Sequence, residues 1–332
     1  MLSGKRILIE NCAGLGDTIM FTPTLRELKK QYPTCILSFA TKKSNTYLLQ
    51  NLPYVDNVYC MDGYLKEWNL LPILYKQDYV IFTSNQPRLL RLAPFLQIPH
   101  IFSKYKEKYE KKKLAQKWIH SWVLDNPQFA AQTIADTLSN LLEVKIEISY
   151  QCDVPIPKLN DLTPEIRSFI NSIKYPYILI APVSSRPERD IPLQFLNNIL
   201  HYLSIEKNMT CIIIGDANKP SILQNEKIHN LLGKTSLKEA IMLIDKAKAV
   251  VCTDSGPMHI AGACKKHTVA LFTRDIASRW APKKYCHPVS IHMHCSPCND
   301  EIAEACPHHD CMNKIPLNMI LCSIDDLLNR NL

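Results

Sequence analysis

The segment Ala249–Ala263, with the sequence AVVCTDSGPMHIAGA, gives the clearest indication of the fold. Its apolar first residues predict a short buried strand, and the small residues that follow turn the chain. Pro257 stands where a helix can begin, because proline fits the first helical turn. A strand, a tight turn and a helix N-terminus leave backbone N–H groups and the positive end of the helix dipole at one edge of a sheet. The segment therefore predicts either a binding site for a phosphate or diphosphate or an ordinary α/β junction that binds nothing.

Strand-like and helix-like segments alternate through both halves of the chain. The predicted strands are Lys5–Glu10, Cys35–Ala40, Val55–Met61, Tyr79–Ser84, Tyr177–Ala181, Thr210–Ile214, Ala249–Cys252 and His267–Phe272. Alternation of this kind is typical of parallel sheets that are covered by helices on both faces. The sequence therefore predicts an α/β fold.

Two domains are expected, because 332 residues are many for a single core. A polar segment punctuated by Pro155, Pro157 and Pro164 predicts the linker. We predict Rossmann-like domains over residues 1–155 and 165–315, with parallel sheets facing a central cleft. A C-terminal helix within 316–332 is expected to pack back toward the first domain.

The composition is that of an ordinary globular protein, with 46% hydrophobic and 21% charged residues. No apolar run approaches the roughly 20 residues that cross a bilayer. The N-terminus lacks the apolar core of a signal peptide, so we expect a cytoplasmic protein. In that reducing compartment the thirteen cysteines are not expected to form a disulfide framework.

The positive charge is concentrated between Ser103 and Trp118. The segment contains two glutamates and seven lysines, which are Lys104, Lys106, Lys108, Lys111, Lys112, Lys113 and Lys117. Several aromatic residues accompany them. The segment predicts either a solvated helix face or a surface for an anionic membrane, a phosphorylated glycolipid or nucleic acid.

A second strand–helix junction follows the first predicted strand. Gly14-Leu15-Gly16 is not a complete dinucleotide fingerprint, because the third glycine is absent. Asp17 stands at the start of the helix. It can cap the helix, or it can serve as a base that takes a proton from a hydroxyl and is kept ionised by the helix dipole. The two roles are compatible.

A third polar segment follows the strand Tyr177–Ala181. Ser184 and Ser185 lie close to Arg186 and Arg189. Hydroxyls and guanidinium groups suit a diphosphate, whose charge arginine matches with several donors. An exposed polar loop is the alternative interpretation.

Together these segments resemble the ADP-heptose:lipopolysaccharide heptosyltransferases of glycosyltransferase family 9. The family's first signature is matched by Gly16-Asp17, Thr22-Pro23 and Leu28-Lys29-Lys30, and its second by Ser184-Ser185 and Arg189-Asp190-Ile191-Pro192. The third signature is matched by Asp254–His259. The resemblance keeps the order and spacing of the signatures over nearly the whole chain.

The resemblance implies a two-domain GT-B fold and an inverting transfer from a nucleotide sugar that needs no metal or other cofactor. Asp17 would be the catalytic base, with Gly16 on the acceptor side. The implied donor-binding residues are Ser184, Ser185, Arg189, Thr235, Asp254, Ser255, Gly256, Pro257 and His259. The implied acceptor is a phosphorylated, lipid-linked oligosaccharide at the cytoplasmic face of the inner membrane, bound through Lys104, Lys106, Lys111, Lys112 and Lys113.

Two departures from the family pattern concern the donor. Arg189 and Ile191 stand where the family often has lysine and tryptophan, so the charge is kept and the aromatic ring is lost. The loop Gly215–Lys219 lacks the glutamate that commonly meets the ribose. No Asp-x-Asp metal motif occurs.

A cysteine-rich segment has the pattern C-x2-C-x7-C-x4-C, formed by Cys295, Cys298, Cys306 and Cys311. Four thiolates at such spacing can hold zinc or iron in a structural site. A set of reduced thiols packed in a loop is the alternative.

Other functions fit parts of the sequence. A zinc-containing nucleic-acid-binding protein would use the basic segment and the cysteines, but these lie far apart and Cys295–Cys311 carries almost no basic residues; no nucleic-acid partner is therefore expected. A nucleotide-sugar epimerase of the same architecture would leave the lysines without a role. A transferase using another nucleotide sugar or a protein acceptor also stays open.

Overall fold

A computed structural model describes residues 2–62, 70–83, 98–103, 117–118, 128–173, 176–216, 222–296, 298 and 300–329. The chain divides into two compact units, Met1–Pro155 and Ile156–Leu332. Within the described ranges, no helix is both long enough and apolar enough to span a membrane.

The first unit is built on a parallel sheet that contains six strands among its described residues. These are β1 (Arg6–Glu10), β2 (Ile36–Thr41), β3 (Asn57–Cys60), β4 (Tyr79–Phe82), β5 (His100–Ser103) and β6 (Lys117–Trp118). Their order across the sheet is β3-β2-β1-β4-β5-β6, which is the Rossmann order. The helices are α1 (Leu15–Gln31), α2 (Lys43–Gln50), α3 (Leu71–Leu74) and α4 (Ala130–Leu142).

The second unit repeats this topology. Its strands are β7 (Tyr177–Ala181), β8 (Thr210–Ile213), β9 (Ile228–Asn230), β10 (Ala249–Thr253), β11 (Thr268–Leu271) and β12 (Cys286–Val289). They are parallel, in the order β12-β11-β10-β7-β8-β9. The α-helices are α5 (Pro164–Ser172), α6 (Leu193–His201), α7 (Leu237–Lys246), α8 (Gly256–Ala263), α9 (Ala277–Trp280), α10 (Asp300–Glu304), α11 (Asp310–Asn313) and α12 (Leu317–Asn329).

The predicted α/β class is confirmed by these two parallel sheets. The central strands β7 and β10 are buried along their whole length, which explains why they were readable as continuous apolar runs. The sequence analysis missed β5, β6, β9 and β12. Three of these are edge strands, which are short and less apolar, and β12 even contains Pro288, a residue that edge strands tolerate.

The C-terminal helix α12 packs on the sheet of its own unit. Ile320, Ile324 and Leu327 are buried at helical spacing and join the core of the second unit. Its contacts are with β10, β11 and β12. The expected packing of this helix toward the first domain stays a prediction.

Gly262 allows α8 to pack closely against Pro282, which follows α9 in the chain. A Cβ atom at this position would lie 2.4 Å from the Cβ and 2.5 Å from the Cγ of Pro282. These separations are far below van der Waals contact, so one of the two segments would have to move. The absence of a side chain at residue 262 therefore helps to hold α8 in place.

Gly262→Ala is expected to destabilise the second unit by about 1–3 kcal/mol, the usual effect of overpacking a buried site. Urea unfolding of the wild type and the variant measures the difference. The same substitution should cost much less in a Pro282→Gly background, because the clashing ring is gone. An equal cost in both backgrounds would show that contact with Pro282 is not the reason for glycine.

Candidate functional site

The junction after β1 is held by buried side-chain amides. Asn11 is 2% exposed, and its Nδ2 donates to Thr83 Oγ1 over 2.8 Å. Its Oδ1 accepts a hydrogen bond of 3.2 Å from the Ala13 amide. Asn11 thus fixes the turn that leads into α1.

Asp17 is the third residue of α1 and contributes to the cap of its N-terminus. The Gly14 amide donates to Asp17 Oδ2 over 3.0 Å. The side chain is half-buried. The N-cap itself is Gly14, so Asp17 is not the N-cap that the sequence allows but supports the cap from the third helical position.

Asn45, at the start of α2, connects α2 to the same turn. Its Nδ2 donates to Thr18 Oγ1 over 2.9 Å and lies 3.3 Å from the Ala13 carbonyl and 3.4 Å from the Gly14 carbonyl. Asn45 is 2% exposed. Asn45 is not predictable as a site residue from the sequence, because an asparagine in a helical segment carries no motif.

In the second unit, the loop after β7 is organised by its own side chains. The Ser184 amide donates to Asp190 Oδ1 over 2.8 Å, and the Ser184 hydroxyl donates to the Arg186 carbonyl over 2.6 Å. Ser185 is exposed. Of the two predicted hydroxyls, that of Ser184 is engaged within the loop and that of Ser185 faces solvent.

Arg189 joins this loop to the end of β10. Its NH1 donates to the Asp254 carbonyl over 3.1 Å and lies 3.4 Å from Asp254 Oδ2. The Thr253 hydroxyl donates to the Arg189 carbonyl. The structure therefore brings together two of the segments that the sequence predicted, the loop 184–191 and the junction at 253–259.

A further group of charges follows β11 and was missed by the sequence analysis. Asp275 Oδ2 lies 2.6 Å from Arg189 NH2 and 3.5 Å from Arg274 Nε. Arg274 is 4% exposed, and its NH1 is 3.4 Å from Glu188 Oε1. Their position directly after a predicted parallel strand was the available signal, since carboxyl ends of such strands meet at one edge of a sheet.

The junction between β10 and α8 has the predicted strand–turn–helix form. Ser255 is the N-cap of α8, and Pro257 lies in its first turn. Asp254 is 4% exposed, while Ser255 and Gly256 are half-buried. The first amides of such a helix have no partner within the helix and can bind an anion.

His259 is buried within α8 and is held in the neutral form. Burial, together with the positive charge of Arg189, lowers its pKa from 6.5 to about 4. Its Nδ1 has no hydrogen-bond partner among the residues that the structure describes. A buried ring nitrogen in this state is one that a ligand hydroxyl or amide could satisfy.

Thr235 lies elsewhere in the second unit, directly before the N-cap of α7. That N-cap, Ser236, forms a capping box with Glu239. Burial opposes ionisation of Glu239, but hydrogen bonds from Thr163 and Ser236 hold its pKa below the usual range. These contacts fix the start of α7 and, with it, the position of Thr235.

Two groups of predicted site residues remain without structural evidence. Lys104, Lys106, Lys111, Lys112 and Lys113 lie outside the described residues.

Burial raises the pKa of Cys298 and of Cys311, and the neighbouring thiols of the cysteine segment add to the increase. Within the described part of the chain, however, no three His, Cys, Asp or Glu side chains form a group that could hold a metal ion. The predicted zinc or iron site therefore rests on the cysteine spacing alone.

The fold and the polar loops define an α/β protein of the Rossmann type, a class that binds ligands at the carboxyl ends of its strands. A family model described as glycosyltransferase family 9 (heptosyltransferase) matches residues 103–308. This is more than half of the chain, which therefore belongs to that family.

A curated relative agrees with this assignment. Lipooligosaccharide heptosyltransferase 2 of Campylobacter jejuni is 30% identical over 112 residues, which are 32% of this chain and 34% of that protein. The match thus spans about a third of the length of this curated relative.

Two solved structures resemble the whole chain. A family 9 glycosyltransferase from Veillonella parvula has a TM-score of 0.80 at 17% identity and covers 99% of this chain and 98% of its own. The ADP-heptose lipopolysaccharide heptosyltransferase II of Escherichia coli has a TM-score of 0.71 at 20% identity, with 98% of each chain covered. At these identities the likeness shows the fold, and the predicted GT-B type with two Rossmann-like domains is confirmed.

Proposed function

We propose that this chain is an inverting glycosyltransferase that moves heptose from ADP-heptose to a lipopolysaccharide core or a related glycan. Membership of family 9 and the heptosyltransferase relatives support this function. The observation that carries the proposal is the attachment of Arg189 to Asp254, directly before the N-terminus of α8. A guanidinium beside free helix amides is suited to a nucleotide diphosphate.

On the donor side, the reaction needs positive charge near the diphosphate of the nucleotide sugar. The acceptor oxygen attacks the anomeric carbon, and the bond from that carbon to the diphosphate breaks, so that ADP leaves with the electron pair. Arg189 and the first amides of α8 would offset the negative charge that grows on the diphosphate. Ser255, Gly256 and His259 would meet the sugar and phosphates, and Thr235 the adenine.

The acceptor side needs a base. In this proposal Asp17 takes the proton of the attacking hydroxyl, since a carboxylate at a helix N-terminus stays ionised. Its hydrogen bond from the Gly14 amide uses Oδ2 and fixes the orientation of the side chain. The lysines of residues 104–113 would bind a phosphorylated, lipid-linked acceptor at the cytoplasmic surface of the inner membrane.

Turnover of ADP-heptose by the purified protein tests this function. ADP release is measured with and without a truncated lipopolysaccharide acceptor, beside UDP-sugars as alternative donors. Acceptor-dependent release from ADP-heptose alone is the expected result. Release from a UDP-sugar instead would reject the donor, and conversion of a nucleotide sugar to its epimer without any acceptor would reject the transferase.

Asn45→Ala is expected to lower kcat about tenfold or more, because small displacements of catalytic groups are costly. The variant loses the contacts that connect α2 to Thr18 and to the turn before Asp17. Steady-state rates of acceptor-dependent ADP release measure the effect. Asn51→Ala is the matched control, since that exposed side chain only caps the other end of α2 through the Tyr47 carbonyl. Equal losses in both variants would exclude a role for Asn45 in placing Asp17.

A further inference from the structure

The side chain of Arg189 is held at both terminal nitrogens. NH1 is bound to the carbonyl of Asp254 at 3.1 Å and lies 3.4 Å from its carboxylate. NH2 forms a shorter ion pair of 2.6 Å with Asp275 Oδ2. The contact with Asp275 is an ion pair without an aligned hydrogen bond at Oδ2, so the two contacts restrain the position of the positive charge from two sides.

Asp275 is itself held by a second arginine. Arg274 Nε lies 3.5 Å from the same Oδ2, and Arg274 NH1 lies 3.4 Å from Glu188. All of these side chains are largely buried, with Arg274 and Asp275 at 4% and 15% side-chain exposure. Opposite charges therefore alternate from Glu188 through Arg274, Asp275 and Arg189 to Asp254.

Burial makes this arrangement rigid. A buried charge that loses its partner is strongly destabilising, so each member of the series restrains its neighbours. Glu188 and Arg189 come from the loop after β7, Asp254 from the end of β10, and Arg274 and Asp275 from the end of β11. The series therefore fastens three separate loops to one another at a single edge of the sheet.

We propose that Asp275 is a positioning residue that orients the guanidinium of Arg189 for the departing diphosphate. This inference rests on the proposed function, in which Arg189 offsets the charge of that group. Asp275 does not itself meet the diphosphate, because two like-charged groups repel and its carboxylate is already paired with two arginines. Its contribution is made through Arg189, by fixing the cation before the reaction begins.

The orientation matters more in the transition state than in the bound substrate. Charge on the diphosphate increases as the glycosidic bond breaks, so a misplaced cation loses most at that point. An interaction that acts mainly in the transition state lowers kcat and kcat/KM together when it is removed. Asp275→Asn, which keeps the shape and removes the charge, is therefore expected to lower kcat about tenfold and to change the donor KM by less than about twofold.

A double-mutant cycle with Arg189→Lys tests the mechanism. Lysine keeps the charge, so the variant retains the compensation of the buried carboxylates, but its single nitrogen cannot contact Asp254 and Asp275 as the two terminal nitrogens of Arg189 do. The loss caused by Asp275→Asn should shrink to less than about twofold in this background, since residues that act as a unit are non-additive. A tenfold loss in both backgrounds, or no loss in either, would overturn the inference.

Two further measurements complete the test. Asp325→Asn removes a carboxylate that pairs with Lys207 at 2.6 Å elsewhere in the same unit, and should leave kcat unchanged. Thermal unfolding identifies variants that are misfolded, and if Arg189→Lys is among them, Arg189→Gln replaces it in the cycle.

Calorimetric titration with ADP separates failure of the inference from failure of the proposed function. If the wild type binds ADP but releases none from ADP-heptose, the donor assignment fails, and the cycle is run with the nucleotide sugar that does support acceptor-dependent release. Additive effects on kcat would reject the role of Asp275 while leaving the transferase in place. A wild type that binds no ADP at all would reject both.

Discussion

Asp17→Asn is expected to lower kcat for acceptor-dependent ADP release by about 10²–10⁴-fold, the range that general-base catalysis contributes. Asparagine has nearly the same shape, and its Oδ1 can still accept the hydrogen bond that the Gly14 amide gives to Asp17 Oδ2. The helix cap is therefore kept while the group that takes the proton is lost. Because ADP binding does not involve this residue in our proposal, ADP affinity should stay within about twofold.

The chain offers a matched control for this substitution. Asp161 caps the 3-10 turn Leu159–Asp161 in the same way, by accepting a 2.9 Å hydrogen bond from the Lys158 amide. Asp161→Asn removes an equivalent carboxylate and should leave kcat unchanged. If Asp17→Asn kept more than a tenth of the wild-type rate, another group would have to be the base, and Asp17 would be a cap only.

A change of pH is expected to reveal the buried state of His259. Burial and the charge of Arg189 lower the pKa of this histidine from 6.5 to about 4 in the folded chain. Between these values the unfolded chain binds a proton that the folded chain does not, so the free energy of unfolding decreases as the pH falls from 6.5 toward 4. Because each pKa unit corresponds to 1.36 kcal/mol, this pKa difference lowers the free energy of unfolding at pH 4 by an amount on the order of 3 kcal/mol.

His259→Asn removes the titration and should remove this part of the pH dependence. Urea unfolding at pH 7, 5.5 and 4.5 measures the free energy of both proteins, and the relevant quantity is the change in their difference with pH. A constant difference would mean that folding does not lower the pKa of His259.

The parts of the fold that could be predicted are those in which burial leaves a mark on the sequence. β7 and β10 are fully buried and read as apolar runs, and Pro257 marked the start of α8. The edge strand β9 buries no residue fully and carries no such pattern. Its pairing with β8 comes from the fold as a whole, which a local pattern does not contain.

The residues of the candidate site also fall into those that the sequence predicts and those that it does not. Asp17 and Arg189 were readable because each belongs to a motif that directly follows a strand. Asn45 and Asp275 were not, because their role depends on which loops meet in space. A hydrogen bond to a carbonyl or an ion pair with a residue more than eighty positions away leaves no spacing in the sequence.

The repeated strand order has a consequence for how this chain can change. In each sheet the second and third strands are added on one side of the first strand and the next three on its other side. The strand order therefore switches between β1 and β4 in the first sheet and between β7 and β10 in the second. Asn11 and Thr83 bridge the first of these switch points, and Arg189 and Asp254 bridge the second. The polar groups at both points thus lie just beyond strand ends, while the strands behind them are occupied with packing. Substitutions just beyond these strand ends can therefore alter binding at either point without disturbing the cores.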